Sequence, residues 1–283
     1  MIYTIKDNKI VILDDSQFNP KHILECGQIF SYKIISNGEF IVFSGDKVAK
    51  ILKNDSVWVI ESENLDYFIN FFDLNTDYNQ IKTNLNDNNF LSKAINFGYG
   101  IRILKQDLLE TVISFVISAN NNIGRIRKSL FYIRERLGDK CGEYFTFPSL
   151  QKLKQCDENF FINAGLGYRS KQMVKLLTQI DEGLLNQKRN LDTKSLRQWL
   201  MSLSGIGGKV ADCILLFGYA RKDVFPVDTW IEKVYNEYFD DNKNREQIRN
   251  ILVEKYKNLS GYAQQYLFYF KREKNKNWVF HFI

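Results

Sequence analysis

Lys209 opens an otherwise apolar run (Val210, Ala211, Cys213, Ile214, Leu215, Leu216) directly after the turn Gly205-Ile206-Gly207-Gly208. A lysine at a helix N-terminus faces the positive end of the helix dipole, and apolar neighbours desolvate it. Both effects favour the free amine, which is the nucleophilic form. Asp228 follows 19 residues on, two positions after Pro226, where a second helix can begin. A carboxylate at a helix N-terminus is stable as the anion. An anion beside an amine nucleophile suits a reaction in which positive charge builds on the substrate. Each residue also has a plainer explanation, a solvated surface lysine and a capping aspartate.

The turn offers a second chemistry. Its glycines let the backbone bend tightly and approach another surface, and a helix starting there aims its N–H groups outward, which suits a phosphate. The same residues would serve an ordinary helix–helix corner with a Gly C-cap. Other catalytic routes are thinly supplied. Only His22 and His281 are available for a Ser-His-Asp or His-metal mechanism. Cys26, Cys141, Cys156 and Cys213 are far apart and form no C-x-x-C. That spacing argues against a zinc site or an Fe–S cluster. Disulfides are not expected in a reducing cytosol. Acid–base and nucleophilic work falls to Lys, Asp, Glu or Tyr.

With 283 residues, 45% hydrophobic, the chain can bury a sizeable core. Its formal net charge of +6 leans weakly toward a polyanionic partner. No run approaches the roughly 20 apolar residues that cross a bilayer, and the first residues lack the order of a signal peptide. A cytoplasmic monomer with no membrane partner is expected.

The elements around this stretch read as α+β. Residues 1 to about 61 alternate around the turn pairs Asp7-Asn8, Asn37-Gly38, Gly45-Asp46 and Asn54-Asp55, with strands resuming from Ile29. That pattern predicts a small antiparallel sheet. From Glu63 the period turns helical, with Leu65, Phe68, Ile69 and Phe72 on one face. Residues 84–89 form a polar break and 90–97 a short helix. Residues 106–119 form a buried helix, followed by a basic helix to about 137. After a loop ending at Pro148 come short helices near 149–155 and 158–163, and a helix running to about 185. Asp192 opens the helix–hairpin–helix unit, about 192–218, and Pro226-Val227-Asp228 starts the next helix. Helices at 243–257 and 261–272 complete the fold, with the tail 271–283 unplaced. The expected division is a sheet domain with a flanking helix over 1–90 and a mostly α-helical region over 91–283.

LSGIGGKVADC (203–213) followed by PVD (226–228) resembles the helix–hairpin–helix–Gly/Pro–Asp signature of base-excision DNA glycosylases. Within that superfamily the lysine points to the bifunctional branch, and the details resemble the 8-oxoguanine DNA glycosylase/lyase family, in a bacterial-type member. CGQIFSY (26–32) is similar to its G-Q-x-F element, SFVISANNNIGRI (114–126) to its Asn-rich element, GLGYR (165–169) to its wedge loop and GYAQQYLF (261–268) to its C-terminal motif.

The resemblance implies that Lys209 attacks the sugar of a flipped-out nucleotide and forms a Schiff base that permits β-elimination. Asp228 would stabilise the cationic sugar. The lesion pocket would use Gly27, Cys213, Gln264 and Phe268, with the Gly27 carbonyl accepting the ring N–H that distinguishes 8-oxoguanine from guanine. Asn120 and Tyr168 would fill and wedge the duplex, while Arg125 and Arg169 contact the estranged cytosine. Gly205, Gly207 and Lys209 would meet a DNA phosphate. The implied partner is damaged double-stranded DNA in a prokaryotic cytoplasm, at the nucleoid. No cofactor is required, although the hairpin carbonyls could hold a structural cation. One departure stands out: Trp230 occupies a position where eukaryotic members carry histidine. Two other readings fit the residues, a related glycosylase for alkylated purines or oxidised pyrimidines and a non-catalytic DNA-binding module. Lys209 and the lack of a cysteine cluster weigh against the former; Lys209 together with Asp228 weighs against the latter.

Overall fold

Alternating strands can persist only if one face of their sheet is covered. In the computed structural model, which describes residues 2–85, 89–239 and 243–279, that cover is helical. The strands β1 (Tyr3–Lys6), β2 (Lys9–Ile12), β3 (Tyr32–Ser36), β4 (Glu39–Ser44), β5 (Lys47–Asn54) and β6 (Val57–Glu61) form one sheet in the order β1-β2-β6-β5-β4-β3. All pairs are antiparallel, and the N-terminal hairpin joins the far edge of the β3–β6 meander with Ile10 opposite Ile60. Ile10, Ile12, Phe40, Val42, Ala49, Ile51 and Ile60 point into one core. Ile23 and Leu24 of α1 (Pro20–Glu25) and Phe68, Phe71 and Phe72 at α2 (Leu65–Phe71) close it.

Two expectations are adjusted here. The third strand starts at Tyr32 rather than Ile29, because Ile29 and Phe30 turn inward and are buried. The stretch before it holds α1, unread in the sequence. The Asn19 side chain accepts the His22 N–H, and Pro20 sits where a helix tolerates its missing donor.

The second core is mostly helical. It is built from α3 (Tyr78–Leu85), α4 (Asn89–Phe97), α5 (Leu108–Ser118), α6 (Ile123–Leu137), α7 (Leu150–Lys154), α8 (Glu158–Asn163) and α9 (Arg169–Gln179). It continues through α10 (Glu182–Gln187), α11 (Thr193–Met201), α12 (Gly208–Phe217), α13 (Thr229–Phe239), α14 (Arg245–Tyr256) and α15 (Ser260–Val279). Buried α5 packs against α12, and α15 packs against both α13 and α4. The expected loop before Pro148 carries a two-residue ribbon, β7 (Lys140–Cys141) with β8 (Tyr144–Phe145). The single helix expected up to 185 is broken at extended Ile180, where Asp181 accepts from Leu184 N at 2.7 Å and starts α10. Such a local acceptor competes with helix continuation. Helix α15 runs past its expected end at 272. Residues 86–88 of the polar break and 280–283 of the tail, with His281, lie outside the described residues.

The two cores are tied by buried polar groups. Glu110 of α5 accepts from Ser31 Oγ at 2.5 Å, Gly45 N at 2.8 Å and Arg134 Nη2 at 2.6 Å. Gln28 donates to the carbonyls of Ile23 and Arg102 and accepts from Leu104 N. Arg102, fully buried, donates to the carbonyls of Gln17, Phe72, Asp73 and Thr76 and stacks on Tyr78. A buried guanidinium is tolerable only with its donors met in this way. No described helix is long and apolar enough to cross a membrane.

Candidate active site

The hairpin between α11 and α12 is pinned inward at Ile206, which is 5% exposed, and turns at Gly205 with φ +79. A Cβ at Gly205 would also crowd Val116 and Gln172. Gly207, the N-cap residue of α12, is exposed, has no side-chain cap, and faces open space. Helices α5, α6, α7, α8, α10, α11 and α14 each begin with an Asp, Asn or Ser side chain accepting a first-turn N–H. The start of α12 therefore leaves backbone donors for an outside anion. The carbonyls of Ser204, Gly205 and Ile206 accept no hydrogen bond among the described residues, so oxygen ligands that fit a hard cation are also present. A buried clasp sets the angle of the two helices. Arg197 of α11 and Arg249 of α14 both donate to Asp212 of α12, at 2.9 and 3.1 Å, and Arg197 also holds Glu246.

Lys209 lies in the first turn of α12, half-buried, with Nζ 5.5 Å from the Phe115 ring centroid. Cys213, one turn on, is buried, and burial pushes its thiol up to about 11. It is neutral at physiological pH. Lys209 and Asp228 both lie near enough to act electrostatically on that thiol. Asp228 Oδ1 accepts from Trp230 N and Ile231 N, each at 3.0 Å, which makes it the cap of α13. Oδ2 has no hydrogen-bond partner among the described residues. The plain and the chemical explanations of Asp228 are thus compatible: capping engages one oxygen and leaves the carboxylate its charge. Trp230 is half-buried, with Lys233 Nζ 4.9 Å above its ring.

A second set of predicted site residues comes from α15, which touches α12, and from the loop after α1. Gly261 sits at the start of α15, where a Cβ would lie 2.4 Å from Leu216 of α12, so the two helices meet there closely. Gln264 and Phe268 follow on one stripe of α15, one turn apart. Gln264 is 5% exposed, and its Oε1 is buried without a hydrogen-bond partner among the described residues. Gly27 has φ +84, and a Cβ there would lie 2.8 Å from the Phe268 ring. Gly27 is therefore required both by conformation and by contact. Two residues that the sequence did not single out hold this loop to α15. Gln265 Nε2 donates to Cys26 O at 2.7 Å, and Arg272 Nη2 donates to Glu25 O. Their spacing, the residue beside Gln264 and one turn past Phe268, is the only sequence signal for them. The Gln28 of the same loop is structural, consumed by its bonds to Ile23, Arg102 and Leu104.

A third group forms a rim. Asn120, exposed between α5 and α6, holds φ +49, an uncommon conformation for a residue with a side chain. Tyr168, at the start of α9, is 64% exposed. Arg169 joins them: Nη1 donates to Ala119 O at 2.8 Å, and the guanidinium lies 5.0 Å from the Tyr168 ring. Arg169 is itself 7% exposed with Nε unpaired, whereas Arg125, in the first turn of α6, is exposed. The two arginines named together from the sequence therefore sit in different settings.

An amine, a carboxylate at a helix start, a buried unpaired acceptor, an open helix N-terminus and an exposed rim suit covalent chemistry on a nucleotide drawn from a duplex. Residues 10–112 match the family model described as the N-terminal domain of 8-oxoguanine DNA glycosylase. The chain is 33% identical over 223 residues to the "Probable N-glycosylase/DNA lyase" of Methanothermobacter thermautotrophicus, covering 70% of this chain and 71% of that protein. It is 34% identical over 188 residues to an N-glycosylase/DNA lyase of Arabidopsis thaliana, 60% of this chain but only 51% of the plant protein. A solved Clostridium acetobutylicum 8-oxoguanine glycosylase/lyase, in complex with double-stranded DNA containing cytosine opposite 8-oxoguanine, superposes with a TM-score of 0.91 at 35% identity. That match covers 97% of this chain and 99% of the other.

Proposed function

Since the chain belongs to the 8-oxoguanine DNA glycosylase/lyase family, we propose that it excises 8-oxoguanine opposite cytosine from double-stranded DNA and then nicks the abasic strand. The observation that carries the reading is Lys209 in the first turn of α12 against Phe115, with Asp228 at the start of α13 and both near the buried Cys213. The Lys209 amine, once deprotonated, forms a bond to C1′ while the C1′–N9 bond breaks and the base leaves with its electron pair. The positive charge that builds on the sugar faces the carboxylate of Asp228. Loss of a proton from the amine and opening of the sugar ring give a Schiff base. Removal of a C2′ proton then expels the 3′ phosphate by β-elimination.

The base would be held between Cys213 and Phe268, with a neutral thiol rather than a thiolate against it. The Gly27 carbonyl accepts the lesion's N7–H, and the unpaired Gln264 Oε1 takes a donor from its Watson–Crick edge. Asn120 and Tyr168 occupy the gap in the duplex; Arg125 reaches the estranged cytosine, and Arg169 steadies the rim while offering Nε to it. The N–H groups at Gly207 and Lys209 take a phosphate, with Gly205 shaping the turn. Such a substrate places the protein with chromosomal DNA in the cytoplasm.

Incubation with a duplex containing 8-oxoguanine opposite cytosine, followed by borohydride, is expected to yield a covalent protein–DNA adduct. Lys209→Gln should abolish it while retaining salt-sensitive DNA binding. Absence of an adduct with the wild-type chain sinks the Schiff-base mechanism.

A further inference from the structure

Arg272 stands one turn beyond Phe268 on α15, and the chemistry above makes no use of it. It is 5% exposed. Its Nη2 donates to Glu25 O and, at 2.8 Å, to Glu273 Oε1; its Nε donates to the same carboxylate oxygen at 2.9 Å. Its Nη1 is buried and has no hydrogen-bond partner among the described residues. Leaving a charged donor unpaired in the interior is costly, so its placement calls for a reason. The place is specific. The point where a Gly27 side chain would begin lies 2.9 Å from Nη1 and 2.8 Å from the edge of Phe268. The guanidinium carbon is 5.2 Å from the Phe268 ring centroid. An unpaired donor thus sits beside the backbone of Gly27 and against the ring that would stack the lesion.

We propose that Arg272 is a specificity-determining residue that donates from Nη1 to the C8 carbonyl oxygen of the lesion; this rests on the reading of the site as an 8-oxoguanine pocket. The oxidised five-membered ring presents a donor, N7–H, directly beside an acceptor, C8=O. The protein presents the complementary pair: an acceptor in the Gly27 carbonyl and, beside that residue, a donor in Arg272. Unoxidised guanine has an acceptor at N7 and a C–H at C8, so it fails at both points. A charged donor to the carbonyl strengthens the second point relative to a neutral one. The same side chain, through Nη2 on Glu25 O, holds the loop that carries the first point, so the two halves of the readout move as one unit.

The test compares two lesions that both keep N7–H, 8-oxoguanine and 8-thioxoguanine, whose sulfur is a weak acceptor. Single-turnover excision of each is measured opposite cytosine with the full chain, alongside cleavage of a preformed abasic site and circular dichroism as checks of folding. The wild type is expected to prefer the oxo lesion. Arg272→Met should slow 8-oxoguanine excision by about 10- to 100-fold, and more than it slows abasic-site cleavage. It should also bring the oxo-to-thioxo ratio close to one. Arg272→Lys keeps the charge but cannot fill both the Glu25 and the Nη1 positions, so it should narrow the ratio too and serves if the Met variant does not fold. An unchanged ratio in a folded variant overturns the contact and leaves Arg272 only a tether for Glu25. A wild type that excises neither lesion instead sinks the 8-oxoguanine reading itself.

Discussion

On the side proposed to face the sugar, the groups are helix ends: the uncapped start of α12 at Gly207, Lys209 in its first turn, and Asp228 capping α13 through one oxygen. On the side proposed to read the base, the groups are interior ones: Gly27 pressed on Phe268, and Gln264 Oε1 and Arg272 Nη1 buried without hydrogen-bond partners among the described residues. Helix ends stay partly wet and keep their donors and charges whether or not a ligand is present. Interior polar groups left unpaired cost folding free energy until something pairs them. The first side can therefore be made stable and reactive together. The second holds stability in reserve for the substrate, a trade seen at many functional sites.

The contrast is sharpest if charge and structure are separated at Asp228. Asp228→Asn keeps an acceptor for the Trp230 and Ile231 N–H groups but removes the anion. Excision is expected to fall by about 10²- to 10³-fold with little change in melting temperature. Asp228→Ala should add a stability loss of about 1 kcal/mol from the missing cap. Near-wild-type excision by the Asn variant would show that Asp228 only caps.

At Gly27 the two effects cannot be separated, which is the mark of the interior side. A methyl group there meets Phe268 and Arg272 and demands a positive φ. Gly27→Ala should cost on the order of 1–2 kcal/mol and slow excision of 8-oxoguanine about 100-fold, roughly the loss of one buried recognition bond with its geometry. Cleavage of a preformed abasic site, which needs no base pocket, should fall far less. Equal losses on both substrates would place Gly27 outside base recognition.

Gln264→Leu inverts the sign between function and stability. The variant removes a buried acceptor that no described residue satisfies. Thermal unfolding should show a gain of up to about 1 kcal/mol, while excision drops about tenfold. A destabilised variant would mean that the amide already has a partner in the free protein.

The same contrast explains what the sequence disclosed. Asp192, Gly207, Lys209, Pro226 and Asp228 lie close together in the chain and act through local rules of helix starts and stops, so the sugar-facing side could be argued residue by residue. The base-reading side joins Cys26 to Gln265 across 239 positions. No periodicity reports such a contact, and Gly27, Gln264 and Phe268 were reached through a family resemblance alone. Residues outside the motifs, Arg272 and the hub Arg102, were not reached. Sheet order was half legible: the turn pairs at Asp7-Asn8 and Asn54-Asp55 marked the hairpins, with positive φ at Asp7, Asn8 and Asp55. The pairing of β2 with β6 depends on which edge of the meander the N-terminal hairpin meets. Arg125 and Arg169 looked alike as basic residues near Asn120. Burial separates them, because only Arg169 has the Ala119 carbonyl within reach.

The smallest expected effect bears on why α12 begins with glycine while its neighbours begin with capping side chains. A side chain at Gly207 would meet nothing within 4 Å, and the residue has a negative φ, so neither space nor conformation demands glycine there. Gly207→Asp should be tolerated and even gain a few tenths of a kcal/mol as a helix cap. Its carboxylate would then take the N–H groups offered to a phosphate and repel the phosphate as well. Duplex affinity should weaken several-fold, with the loss shrinking as salt is raised because the repulsion is screened. Undiminished affinity at low salt would mean that the open start of α12 does not face the DNA, and that the sugar-facing side ends at Lys209.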